Sequence, residues 1–269
     1  MLPKIIVNAD DFGMSKVINR EIIEFINLGL ISSTTLLMNG PEIDEALSFS
    51  RKCNSISFGV HLNLTEFYPL TFAAKKSHLC DSEGKFQDLY NLKMTYNDFS
   101  VICDEWSAQV ERCLASGIRI SHFDSHHHVH TRPETFFALK YVMNKYKINK
   151  VRITRNLIPE NSQESGVFNF KIFKKNYWNF SLRNLPPKAK CVDFFGSLSD
   201  LSSIVYGEYP SIENNSNDDF LKKFNNRVLE IMCHPGGTGS NFLFENKLLK
   251  EGIKNIYPTD FKLITYHDL

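Results

Sequence analysis

Apolar positions along the chain alternate between two rhythms. Short continuous runs, Ile5-Ile6-Val7-Asn8, Ile31 to Met38, Ile56 to Leu64 and Val228 to Cys233, have the length and β-branched content of buried strands. Between them apolar residues recur at helical spacing. Val17, Ile18, Ile22, Ile23, Phe25, Ile26 and Leu30 stripe the stretch Met14 to Leu30, and Ile43, Ala46, Leu47 and Phe49 do the same after Gly40-Pro41. Further helices are predicted over Asp98 to Gly117, Arg132 to Lys147, Lys171 to Leu182, Ser197 to Tyr206, Phe220 to Asn226 and Phe244 to Lys254. Further strands are predicted at 121–130, Lys150 to Arg155, Cys191 to Phe195 and Phe261 to Thr265. About eight strands interleaved with helices, without an internal repeat or linker, predict right-handed parallel units closed into a single (β/α) barrel spanning residues 1–269. Two stretches break the rhythm. Residues 66–97 and 156–168 are too long for ordinary connections, and loops of that kind after barrel strands commonly wall active sites. The polar run Ile212 to Asp219 is expected to be a loop.

Composition narrows the class. With 42% hydrophobic and 23% charged residues the chain can bury a sizeable core, and a net charge of +1 gives no electrostatic reason to bind nucleic acid or a membrane surface. No apolar run approaches the ~18–20 residues of a transmembrane helix, and Met1 to Val7 leads into a strand without a signal-peptide core. Six cysteines lack paired spacing, so they are expected to be reduced thiols of a cytoplasmic protein.

The chemistry gathers in Ser121-His122-Phe123-Asp124-Ser125-His126-His127-His128-Val129-His130, which holds five of the nine histidines. Read as a strand running into a loop, it places Asp124, His126, His128 and His130 on one face and Ser125 and His127 on the other. Convergent imidazoles beside a carboxylate are the makings of a transition-metal site. His128 and His130 are left as pocket or supporting residues. Asp10, Asp11, His61 and His234 also fall at or near C-terminal ends of predicted parallel strands, the edge where such folds assemble their sites. Two adjacent carboxylates can divide the work, one as ligand and one as free base, while His234 protonates a leaving group. Gly236-Gly237 would leave backbone N–H groups open to a substrate oxygen. These parts suit hydrolysis of an amide or ester.

The segments Asn8-Ala9-Asp10-Asp11-Phe12-Gly13, Ser32-Ser33-Thr34-Thr35, His61-Leu62-Asn63-Leu64-Thr65, 122–130 and His234-Pro235-Gly236 resemble the YdjC-like carbohydrate deacetylases, which include chitooligosaccharide (diacetylchitobiose) deacetylases. The likeness is strong from Ile5 to about Arg155, returns at Cys233 to Gly236 and is weak between. It implies a TIM-barrel-like enzyme, related in layout to other polysaccharide deacetylases, that removes acetyl groups from N-acetylated oligosaccharides. It also implies a divalent metal, Mg2+, on Asp11, His61 and His126, with Asp10 as base, His234 as acid and Arg152 as a charge partner of Asp10. Two imidazoles and a carboxylate suit Zn2+ or another transition ion better on ligand softness. A metal-holding sugar-binding barrel without turnover, and a metal-dependent sugar isomerase or phosphoesterase, are the competing readings. The first would need neither base nor acid, and a phosphoesterase would want a glycine-rich or basic phosphate cradle, of which the sequence offers none convincing. A homodimer is compatible with the sequence.

Overall fold

The fold was obtained as a computed structural model that describes residues 2–89, 92–157, 170–201, 224–251 and 260–269. β1 (Lys4–Phe12) is buried along nearly its whole length, as befits a central parallel strand covered on both faces. α1 (Lys16–Asn27) follows. Its N-cap is Ser15, whose hydroxyl accepts the Ile18 N–H, and it turns Ile22, Phe25 and Ile26 inward. β2 (Ser33–Leu36), α2 (Ile43–Ser50) and β3 (Ser57–Leu62) continue the alternation. A short helix α3 (Phe72–Lys76) lies in the long stretch after β3. α4 (Tyr96–Ala115) begins at Thr95, whose backbone N–H and hydroxyl are both accepted by the Asp98 carboxylate.

β4 (Ile120–Ser125) then leads through a tight turn to α5 (Pro133–Tyr146), which opens on proline and ends at Lys147 in the left-handed conformation. α6 (Phe170–Asn184), β5 (Phe194–Ser197), β6 (Val228–Cys233), α7 (Ser240–Glu251) and β7 (Lys262–Leu263) complete the described chain.

Among the described residues the strands form one seven-stranded sheet in the order β4-β3-β2-β1-β6-β5, with β7 off this path beside β1, and every pairing is parallel. β6 runs beside β1 in unbroken register from Lys4↔Val228 to Ala9↔Cys233. The other edge of β1 is shared, with β7 at Lys4 and Ile5 and β2 from Asn8 onward. The expected strand Lys150 to Arg155 is reduced to isolated bridges, Phe123↔Val151 and Lys150↔Lys190. It still spans the gap between the sheet's two edges. Phe123 N–H donates to Lys150 O and Arg152 N–H to Phe123 O, while Asn156 and Leu157 N–H both donate to Phe195 O. The parallel sheet therefore curls into a barrel layout with one lightly bonded seam.

Other differences from the sequence reading are local. β1 runs on to Phe12, so Asp10 and Asp11 lie within the strand and not after it. The stretch 66–97 contains α3 and an antiparallel bridge, Cys80↔Phe86. The stretch 158–168, half of the helix Ser197 to Tyr206, the loop Ile212 to Asp219 and most of the helix Phe220 to Asn226 lie outside the described residues. All six cysteines are unpaired.

Candidate active site

The site is built at the C-terminal ends of β1, β3 and β4. Register between β1 and β2 slips between Ala9 and Phe12, and Asp11 sits there at φ 69°, in the left-handed region. A bulge of this kind re-aims a side chain. Asp10 and Asp11, though adjacent, thus face different partners.

Asp10 points to a buried charge cluster. Arg152, fully buried, donates Nη1 to Asp10 Oδ2 at 2.7 Å and Nη2 to Oδ1 at 2.8 Å. Asn8 Nδ2 adds a third bond to Oδ1 at 2.8 Å. The same guanidinium contacts Asp124 Oδ2 at 2.8 Å and Glu230 Oε1 at 2.7 Å, and lies 4.8 Å from the Phe195 ring centre. Burial pushes the Asp10 carboxyl up, but Arg152 overrides it and holds the group well below the usual carboxylate range. Asp124 is lowered in the same way, while burial lifts Glu230 to about 6. Glu230 also accepts the Tyr266 hydroxyl.

Asp11 turns to the imidazoles. Its Oδ1 lies 3.2 Å from His61 Nε2 and 3.8 Å from His126 Nε2. That oxygen is buried, and despite the charged neighbours it completes no hydrogen bond of acceptable geometry. The far nitrogens of both rings are already engaged. His61 Nδ1 is 2.8 Å from Asp124 Oδ1, and His126 Nδ1 is 2.8 Å from the Thr65 hydroxyl. Thr35 braces the pair by donating its hydroxyl to Asp124 Oδ2. Burial disfavours a charged His61, but Asp124 and Asp11 outweigh it and lift its pKa to about 10. The same acids are absent from the far side of His126, and burial takes it down to about 4. Asp11, raised by burial and lowered by His61, ends near 2.

A second acid–imidazole group, Asp10, His61 and Asp124, has ligand atoms all within 4.8 Å of one another. Its two carboxylates already share the Arg152 guanidinium. The cluster around Asp11 could also hold a cation, since its orphaned oxygen and two ring nitrogens have no guanidinium among them. Charge balance points the same way. Asp10, Asp11, Asp124 and Glu230 are buried against Arg152 alone, with His61 needing its proton to reduce the excess. A divalent cation would take that proton's place.

The histidine-rich segment departs from the expected alternation. β4 stops at Ser125, and 126–131 forms a 3-10 turn in which His127 (φ 50°) and His128 (φ 53°) are left-handed. His127 is exposed, as its predicted outward direction requires. His128 stands edge-on to Phe195, 5.7 Å between ring centres, and burial lowers it to about 3. His130 is held by Ser125 at Nδ1 and by the Arg152 carbonyl at Nε2, 3.0 Å away. It braces the wall and does not share a face with His126. Gly237 N–H is spent on the His234 carbonyl, and a Cβ at Gly237 would meet Phe242 at 2.5 Å, so that glycine serves packing.

His234 follows β6 and is partly exposed. Its Nδ1 is 3.3 Å from Glu245 Oε2, and the Phe242 ring lies 4.7 Å away. Burial works against its charge, but Glu245, Asp10 and Asp11 together raise its pKa. Of the expected residues, Asp11, His61 and His126 thus converge, Asp10 pairs with Arg152, and His234 stands on the neighbouring strand end. Thr35, Thr65, Glu230, Tyr266 and Glu245 received no role from the sequence, and Asp124, expected beside the histidines of its own segment, instead backs His61. Glu230, one acid in the apolar strand Val228–Cys233, was the clearest missed signal.

The sequence profile of the family described as YdjC-like protein matches residues 4–255. The chain belongs to the YdjC-like family. A relative from Clostridium beijerinckii named carbohydrate deacetylase is 30% identical over 99% of this chain and 100% of its own length. Others so named are 32% identical (Thermoanaerobacter pseudethanolicus, 54% of this chain and 58% of the relative) and, as carbohydrate deacetylase 1, 39% identical (Listeria innocua, 47% and 52%). Those two alignments therefore span only about half the length of each relative. A crystal structure of an Enterococcus faecalis V583 protein, provisionally described as a cellobiose-phosphate cleavage protein, superposes with a TM-score of 0.71 at 24% identity. That superposition covers 100% of this YdjC-like chain and 99% of the other, and it establishes the shared fold. Among the described residues no helix is long and apolar enough to cross a membrane.

Proposed function

We propose that this YdjC-like protein is a metal-dependent carbohydrate deacetylase that releases acetate from N-acetylated, chitooligosaccharide-type sugars. The observation that carries the metal is the buried, unbonded Asp11 Oδ1 facing two imidazole Nε2 atoms at 3.2 and 3.8 Å. The relatives' names carry the substrate class. Asp11, His61 and His126 would hold the ion, and the Nδ1 bonds of the two rings to Asp124 and Thr65 fix which nitrogen faces it. When bound, such an ion supplies polarisation of the acetamide carbonyl and a water of lowered pKa. Mg2+ is the family expectation, while two imidazoles and one carboxylate favour Zn2+ or a similar ion.

The remaining chemistry belongs to the chain. Asp10 accepts the proton of the attacking water. Its bidentate pairing with Arg152 keeps it ionised at every working pH, at some cost in basicity. His234 donates a proton to the sugar nitrogen as the C–N bond breaks, giving acetate and a free amine. The raised pKa of His234 keeps that proton available near neutrality. The test is acetate release from N-acetylglucosamine oligomers by protein reconstituted separately with Mg2+ and Zn2+. Turnover abolished by chelation and restored by one ion supports the reading. No acetate with either ion, from protein shown to bind it, refutes it.

A further inference from the structure

We infer that Glu245 is a positioning residue for His234, fixing which imidazole nitrogen carries the transferable proton. The inference rests on the reading of His234 as proton donor. Glu245 lies on the inner face of α7 beside Leu248 and Leu249 and is only 3% exposed. A carboxylate is not buried cheaply unless hydrogen bonds receive its charge. Here Oε2 accepts the His234 backbone N–H at 3.1 Å and lies 3.3 Å from His234 Nδ1, while Oε1 accepts the Ser199 hydroxyl at 3.2 Å. The two bonds to His234 come from one oxygen, so ring and backbone are fixed together.

An acid against Nδ1 selects the tautomer with the proton there. Nε2 is then the nitrogen left to gain and lose a proton, and the imidazolium formed on gaining it is stabilised. Besides Glu245, the charged groups acting on this ring are Asp10 and Asp11 of β1. The Phe242 ring flanks it and excludes water from one side. A purely structural Glu245 would need only its bond to the His234 backbone. The contact at Nδ1 is the added feature.

Glu245→Gln tests this, since the amide keeps an acceptor for the backbone N–H and loses the charge. Acetate release from N-acetylglucosamine oligomers would be followed across pH for wild type, Glu245→Gln, Glu245→Asp, His234→Ala and the Glu245→Gln/His234→Ala double variant. Ring-nitrogen NMR of His234 would be recorded on the metal-free proteins. A lost partner charge moves a histidine by about one pKa unit, so kcat in Glu245→Gln should fall ~10-fold or more with KM within ~2-fold. The alkaline limb should move to lower pH, Glu245→Asp should restore much of it, and the Nδ1–H tautomer should lose its dominance. In the His234→Ala background the Gln change should cost nothing further. An equal loss in that background, or an unmoved alkaline limb with an unchanged tautomer, overturns the inference. Full amide turnover by His234→Ala would instead overturn the donor reading, and the nitrogen spectrum would then decide the Glu245 pairing alone. If Glu245→Gln does not fold, the Glu245→Asp spectrum decides it.

Discussion

Replacing Arg152 by methionine removes the single cation shared by Asp10, Asp124 and Glu230 while roughly conserving side-chain length. Breaking one buried ion pair from one side costs ~3–5 kcal/mol, because a charge is left without its partner. Three carboxylates depend on this guanidinium, so that range is a floor. In a chain of this size each kcal/mol moves Tm by ~2–4 °C, which predicts a drop of ~6–20 °C at neutral pH. The deficit should depend on pH. In the native protein Asp10 and Asp124 are held below their ordinary value of 3.8, so the stability they contribute is present above that value and lost as pH falls further. In the variant, burial is opposed chiefly by His61, the same groups rise, and they oppose folding increasingly as pH rises past 3.8. The two curves should therefore lie farthest apart near neutrality and converge below about pH 4. Urea unfolding followed by near-UV circular dichroism, in EDTA so that no bound ion contributes, measures the gap. A methionine variant as stable as wild type at pH 7, or a gap constant from pH 7 to 4, would refute the account.

Three further outcomes are expected. Asp11→Asn should weaken cation affinity in calorimetry, whereas Asp10→Asn should keep the ion and lose most acetate release. Equal ion loss in both would show the pair wrongly divided. Asp124→Asn removes the acid behind His61 Nδ1, and its ion affinity should fall ~10–100-fold, an effect that unchanged titrations would exclude. Gly59→Ala would set a Cβ 2.5 Å from His122 Cε1, inside the stack that ring makes with Tyr266, and should cost ~1–3 kcal/mol in denaturant unfolding.

Periodicity located β1 to β4 and their helices because each is long, strongly patterned and flanked by turn or capping residues. Lys150 to Arg155 also reads as a strand, yet only Lys150 and Val151 make bridges, and the ion cluster that Arg152 serves is one no local pattern reveals. The histidine segment misled for a local reason. Alternation holds only while backbone stays extended, and two left-handed residues after His126 reset the direction of everything up to His130. Strand-end placement and family likeness singled out Asp11, His61 and His126, whose side chains the fold brings together. Tyr266 was not, because its partner Glu230 is 36 residues away and no local motif joins the two. Asp10 and Asp11 were both singled out in the sequence, but not the register slip between Ala9 and Phe12 in which they sit.

The seam between β4 and β5 gives the barrel an uneven resistance to local opening. The β1–β6 pair, for one, is laced by a continuous ladder of six residue pairs, whereas here only a few amides of 149–157 reach across. What the backbone omits, Arg152 supplies through its side chain, tying the seam to β1, β4 and β6 at once. Amides in this segment should accordingly exchange with deuterium sooner than those of β1 or β3. Each such opening would pull the guanidinium from Asp10. Loosening this wall would thus cost the buried ion pair as well as the backbone seam, so that the local stability of the scaffold and the placement of the Asp10 carboxylate rise and fall together.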